Sequence, residues 1–281
     1  MIRCIFQELK KNLYFPYAFL AILGIVLLAL VSPGGTSETG ADITIFSMLH
    51  NTVENGRMAD IGQAGLVLWG KGLSGWMAIF VPFLLTFGYI AVTVNEHQDM
   101  FTRFQLLRFG KLNYCISKVC GGALSGGILF TLGYGLFGLI MLAVFPDFSS
   151  FPQEEQEIYL MMWGTNAADY IVKQLLGAFL YGMGASTFGI GVTIFFRDKY
   201  MLLCLPLLLN YAYGQVLNKQ MDDRMKAGKG YEMLLAFMPE SLIRNMLWDK
   251  YWFAGVVFML AVYAVLLFIF YRMVKRGYFS G

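Results

Sequence analysis

The chain has 281 residues, 58% of them hydrophobic and only 14% charged, with a mean hydropathy of +0.60. That balance excludes an ordinary soluble globular domain and points to a membrane protein. The net charge of +3 conceals an uneven distribution of the 21 basic and 18 acidic residues along the chain, and no nucleic-acid partner is expected from it.

A helix rises 1.5 Å per residue, so about 20 apolar residues cross a hydrocarbon layer of about 30 Å. Six segments are apolar enough and long enough: 15–32, 76–94, 119–145, 174–196, 200–217 and 252–271. The expected fold is therefore all-α and polytopic, with residues 15–281 forming a single six-span domain after a short leading segment, 1–14. That segment, MIRCIFQELKKNLY, puts Ile2, Ile5, Phe6 and Leu9 on one helical face and Arg3, Glu8, Lys10 and Lys11 mostly elsewhere. The pattern suits a helix lying along the membrane surface before the chain turns in at Pro16. The apolar run after it exceeds the core of a secretory signal and five more spans follow, so it reads as a retained first helix.

Between the first two spans, Gly65 to Gly72 fits GxxxxGK, the outline of a phosphate loop. It lacks the Ser or Thr that would hold Mg²⁺, and in a glycine-rich chain such a loose match reads as coincidence. After the second span comes NEHQDMFTRFQLLRFGKLNYCISK, residues 95–118. Its four basic residues would each cost about 2.5 to 3.5 kcal/mol in lipid, which keeps the stretch in water. Met100, Phe101, Phe104, Leu107 and Arg108 recur at helical spacing, with Arg103 and Gln105 on other faces. An amphipathic helix of this kind docks into a soluble partner or rests on headgroups, and the pattern does not separate the two.

The third span carries Ala123, Gly127, Thr131 and Gly135 four residues apart, with Gly122 and Gly126 beside them. The fourth repeats the device with Ala178, Gly182 and Ser186. Small residues in this rhythm let helices approach closely, so these faces are expected to form helix contacts. In the fifth span Pro206 is followed by Asn210, Tyr211, Tyr213 and Gln215; Asn210, Tyr211 and Gln215 are candidates for a polar pathway, and an interfacial belt is the other reading of the tyrosines. Before the last span, apolar residues recur around Pro239 in a stretch too short to span, which suggests a helical pair dipping into the bilayer or packed on the bundle.

Lys and Arg crowd residues 1–14, the 95–118 connection, the Arg197–Lys199 turn and the tail, whereas most of the acidic residues fall in the other three connections. The basic side is expected to be cytoplasmic, with both termini inside. The four cysteines lie on or near that side and read as free thiols. The chain has two histidines and no HExxH; Glu96, His97 and Asp99 are helix neighbours that do not converge on one point. With no nucleophile paired to a base and no metal cluster, no catalytic role is expected of this chain.

Glu96, then Leu106-Leu107-Arg108-Phe109-Gly110-Lys111, then Tyr114 and Ser117-Lys118 leading into a Gly-rich span together resemble the coupling segment of type-2 ATP-binding-cassette exporter permeases. Glu96 matches the family's leading Glu and Lys118 its Lys at the start of span three, while Met100-Phe101 stand where the family often has Gly-Thr. The resemblance implies six spans, an interfacial N-terminal helix, a cytoplasmic coupling helix between spans two and three, and re-entrant helices before span six. It implies a multi-pass bacterial cell-membrane protein that pairs with a second permease copy, like or unlike, and with a separate cytoplasmic ATPase that holds ATP and Mg²⁺. The chain itself would bind no cofactor, and Glu96, Asp99, Phe101, Arg103, Phe104, Leu107, Arg108 and Lys111 would couple it to the ATPase. The cargo, peptide or drug-like, is open. The alternative is a non-transporting membrane anchor, immunity or sensor subunit that recruits a cytoplasmic partner.

Overall fold

The computed structural model describes residues 1–14, 16–36, 42–55, 61–74, 76–98, 101–163, 166–196, 198–228, 230–243 and 252–276. The side chains at 51–55, 89–98, 101–103, 162, 199, 232, 239 and 241 lie outside that description. The fold is all-α but for one small hairpin. Helix α1 (Ile2–Asn12) bends by 66° into α2 (Tyr17–Val31). Next come strands β1 (Pro33–Thr36) and β2 (Asp42–Thr44), paired antiparallel, then α3 (Ile45–Asn55) and the short α4 (Gly65–Lys71). Helix α5 (Trp76–Gln98), α6 (Phe101–Phe109) and α7 (Lys111–Val144) follow. Then come α8 (Gln153–Trp163), α9 (Ala167–Phe195) and α10 (Lys199–Lys226), with α11 (Glu232–Leu235), a 3₁₀ turn (Pro239–Leu242) and α12 (Trp252–Lys275) closing the chain.

Among the described residues four helices, α7, α9, α10 and α12, are long and apolar enough to cross a membrane, and the number is six if the bent pairs α1–α2 and α4–α5 each count as one span. These helices suggest a membrane protein. Their limits differ from the sequence reading in an instructive way. Helix α7 begins at Lys111 rather than 119 and α10 runs on to Lys226 rather than 217, because no Pro or Gly-rich break stops either helix where the hydropathy falls. Conversely α2 has 15 residues, about 22 Å of helix, less than a full hydrocarbon layer.

Helix α7 is the post around which the others stand, and its glycines open a seat on several of its sides. A Cβ on Gly126 would meet the Ser186 side chain at 2.6 Å and the Gly182 carbonyl at 2.9 Å, while one on Gly182 would meet the Gly126 carbonyl at 2.6 Å. The backbones of α7 and α9 therefore touch. Gly127 seats Phe179 of α9, Gly133 seats Ile25 of α2, Gly121 seats the Glu8 side chain of α1, and Gly138 seats the Trp69 ring of α4. Along the stripe read from the sequence, Ala123 and Gly127 are buried, Thr131 donates to the Gly127 carbonyl of its own helix at 2.8 Å, and a Cβ on Gly135 would meet Leu175 of α9 at 3.4 Å.

The start of the chain and the last turns of α12 lie at one end of the bundle. Lys118 near the start of α7 reaches Glu8 of α1, and Tyr114 packs on Phe270 near the end of α12 with ring centres 5.9 Å apart. At the far end, Trp69 of α4 donates its indole N–H to the Tyr134 carbonyl at 3.1 Å and Tyr134 returns its hydroxyl to the Trp69 carbonyl at 2.8 Å. Phe148, Tyr159, Trp163 and Tyr170 stack beside this pair, closing that end with aromatic rings.

The contact between the two glycines is a sharp test of the packing. Gly182→Ala should lower the unfolding midpoint of the detergent-purified chain, by the equivalent of about 1 to 3 kcal/mol for overpacking. Gly214→Ala, where a Cβ meets nothing within 4 Å, should leave it unchanged or raise it. Equal midpoints for the two variants would contradict the close α7–α9 contact.

Candidate functional site

Helix α6 sits between α5 and α7 at the end that holds α1 and the last turns of α12. Gly110 ends it: φ 78° with ψ 154° is backbone that essentially only glycine adopts, and it turns the chain into α7. Asn113 donates to the Phe109 carbonyl at 3.1 Å, covering one of the acceptors left at the helix end. Phe104, Leu107 and Arg108, at spacings of three and four, fall on one face and point outward; Leu107 is 85% exposed and Phe104 68%. Lys111 at the start of α7 is exposed on the same end. Phe104 and Leu107 stand one turn apart and form a small exposed apolar patch on an otherwise polar connection.

The other face of α6 is tied down. Gln105 is buried, and its amide lies 3.5 Å from the Glu8 carboxylate of α1. Glu8 is itself only 5% exposed and takes Lys11 at 3.2 Å and Lys118 of α7 at 2.7 Å. One carboxylate thus joins α1, α6 and α7. A buried carboxylate needs such partners, since leaving it alone in an apolar setting costs several kcal/mol. Cys4, Glu8 and Asn12 form the inward stripe of α1, with Asn12 3.5 Å from the Ser125 hydroxyl, while Ile2 and Phe6 point outward. Within the segment 1–14 the helix covers Ile2–Asn12, with Cys4, Glu8 and Asn12 against protein and part of its apolar side exposed.

Of the residues expected to form the docking element, Phe104, Leu107, Arg108 and Lys111 share this outward surface. Asp99 lies outside the described residues, as do the side chains of Glu96, Phe101 and Arg103. Sequence reasoning did not single out Glu8, whose one signal is its place as an acidic residue among basic ones, four positions from Cys4 and from Asn12.

The candidate pathway residues go elsewhere. Pro82 in α5 has no N–H, so the Ala78 carbonyl one turn back has no helical donor. Asn210 of α10 supplies it, donating to Ala78 at 3.1 Å and standing 3.2 Å from the Ile79 carbonyl. Tyr211 and Gln215 are exposed on the outside of this chain. Tyr213 donates to the Phe237 carbonyl at 2.8 Å and lines an apolar groove of about 440 Å³ between α9, α10, α12 and the 236–242 segment. Thr187, Phe188, Leu209 and Phe258 also face it. The segment around Pro239 is a pair of short helical pieces packed on α9 and α12, and Gly255 admits the Ala236 carbonyl against α12.

The GxxxxGK match is spent on packing. Lys71 donates to the Gly34 and Gly62 carbonyls at 2.8 and 3.0 Å, Gly65 abuts the Met141 backbone, and Gly70 abuts the Tyr170 hydroxyl. Among the described residues no group of three His, Cys, Asp or Glu is placed to hold a metal, and all four cysteines are free thiols. Comparison with family models, with curated proteins and with solved structures returns no match to this chain.

Two outcomes follow from these polar ties. Asn210→Leu should destabilise the chain by about 0.5 to 1.5 kcal/mol, the net worth of one hydrogen bond, because the Ala78 carbonyl keeps the longer contact from the Tyr181 hydroxyl at 3.5 Å. In a Pro82→Ala background the loss should shrink, because residue 82 then donates to Ala78; an equal loss in both backgrounds, read from thermal midpoints, would contradict the pairing. Glu8→Ala should speed hydrogen exchange across 101–110 about tenfold or more, since breaking a buried ion pair costs about 3 to 5 kcal/mol before discounting for the partial exposure of Lys118. Unchanged exchange there would show that Glu8 does not hold α6.

Proposed function

We propose that this chain is the membrane subunit of an ATP-driven exporter and that α6 is the surface on which a separate cytoplasmic ATPase docks. The observation that carries the reading is a short helix between two long ones, tied to the bundle by Gln105 and Glu8 on one side and presenting Phe104 and Leu107 on the other. A rigidly held helix with an exposed apolar pair is suited to transmit a push from a soluble partner into the spans it joins. ATP and Mg²⁺ belong to that partner in this reading. The transport unit pairs two permease copies, and the basic end with both termini faces the cytoplasm. The apolar groove beside α9 favours cargo with a substantial apolar part, such as a drug-like molecule or an apolar peptide.

A second reading keeps the docking helix and drops transport: a membrane anchor that recruits the ATPase or another soluble protein. It is favoured by the use to which polar groups in the long helices are put. Asn210 pairs with α5 carbonyls, Tyr263 of α12 donates to the Met183 carbonyl and lies 3.1 Å from the Ser186 hydroxyl, and Tyr134 pairs with Trp69. Each serves as a bracket between helices.

The test is purification of the tagged chain from its native membrane in mild detergent, with co-purifying proteins identified by mass spectrometry. An ATPase in roughly stoichiometric amount should be recovered with the wild type and lost with Leu107→Asp or Arg103→Glu, both variants still inserting in the membrane. Recovery of no ATPase, or undiminished recovery with both variants, would sink the docking reading. Stimulation of the recovered ATPase by cargo separates the exporter from the anchor.

A further inference from the structure

Between α1 and α6 lies a cleft of about 540 Å³, lined from α1 and the turn after it by Gln7, Lys10, Lys11 and Tyr14, and from α6 by Phe104 and Arg108 among others. Every charged side chain that lines it is basic. Glu8 lies on the inward stripe of α1 and is shared between Lys11 and Lys118. Lys10 on the α1 wall and Arg108 on the α6 wall give the cleft positive charge from both sides. The Arg108 guanidinium lies 5.3 Å over the Phe109 ring, a cation–π contact that restrains its long side chain beside the cleft.

We propose that this cleft binds the phosphate of an anionic phospholipid headgroup. The site's position in the fold selects that occupant. Helix α1 bends 66° away from α2, turns Ile2 and Phe6 outward, and is followed by exposed Tyr14 and Tyr17. An amphipathic helix with this arrangement lies in the interface, its apolar side among acyl chains and its tyrosines at headgroup level. The cleft opens beside the last turn of that helix, where a lipid phosphate sits, and basic pockets between helices at the bilayer surface are suited to such headgroups. Tyr14 and Gln7 add hydrogen-bond donors, and Phe104 offers an apolar wall for glycerol and the first methylenes. The assignment does not depend on the ATPase docking at α6. It gives the tether between α1 and α6 a second component, a lipid held between them.

The test uses the full chain purified in detergent, stripped of lipid and re-exposed to an equal mixture of phosphatidylglycerol and phosphatidylcholine, with retained lipid counted by native mass spectrometry. Phosphatidylglycerol should be retained in clear preference. Lys10→Glu, at an exposed position outside the Glu8 pairing, should cut that preference about fivefold or more, and Lys10→Glu with Arg108→Glu should bring it to parity. Arg276→Glu, a cation at the same end but outside the cleft, should leave the preference intact, and inorganic phosphate in millimolar excess should not displace the lipid. Thermal midpoints in phosphatidylcholine alone check folding, and Lys10→Gln replaces the reversal if that variant unfolds. Parity in the wild type, an equal effect of Arg276→Glu, or an unchanged preference in the Lys10 variants would overturn the site. Displacement by inorganic phosphate would overturn the lipid as its source. Loss of a co-purified protein from the Lys10 variants with lipid preference intact would overturn it in favour of a protein contact.

Discussion

The bundle depends on the approach of α7 to α9 at Gly126 and Gly182, where backbone meets backbone. Within lipid no hydrophobic gain drives helices together, because the tails are as apolar as the side chains; association has to come from close packing and from hydrogen bonds between helices. Glycine serves the first need by letting carbonyls and Cα atoms touch. The second is met by groups that pair across helices, such as Asn210 with the carbonyl that Pro82 leaves without a donor, and Tyr134 with Trp69. Helices α1, α2, α4 and α12 also pack against α7, so a shift of that helix reaches most of the molecule.

The Glu8 cluster carries this frame to the end where α1 and the last turns of α12 lie. It draws α1, α6 and α7 onto one buried carboxylate and fixes the inward side of a nine-residue helix that has few other means of staying put. What remains outward is Phe104, Leu107 and a set of cations. A surface that is stiff behind and apolar in front differs from a loose loop in one functional respect: a partner that moves it moves the helices joined to it. The proposed lipid headgroup between α1 and α6 would make that stiffness depend on the composition of the membrane.

Much of this was legible in the chain. Long apolar runs gave the helices that α7, α9, α10 and α12 became, and the four-residue rhythm from Ala123 to Gly135 put the packing on the right helix. The same pattern marked Phe104, Leu107 and Arg108 as one face. What stayed hidden depended on partners distant in sequence. Nothing near Asn210 reveals that Pro82 has left a carbonyl for it, so its hydrogen bonds to α5 could not be read from the chain. Glu8 looked like a stray charge on a surface helix, because its role needs Lys118 and Gln105. The hairpin, α3 and α4 fall in a connection whose mixed composition has no single period; Trp69 against α7 and Lys71 on the Gly34 and Gly62 carbonyls tie its described parts to the bundle and to one another.

The central claim is that α6 faces a nucleotide-hydrolysing partner. A photo-crosslinking amino acid placed at Leu107 in cells that make the chain tests it most directly. The main crosslinked product should be an ATPase, and the yield should fall when Glu8 is replaced by Ala and α6 is released. Crosslinks confined to lipid, or to a protein with no nucleotide-binding domain, would contradict it.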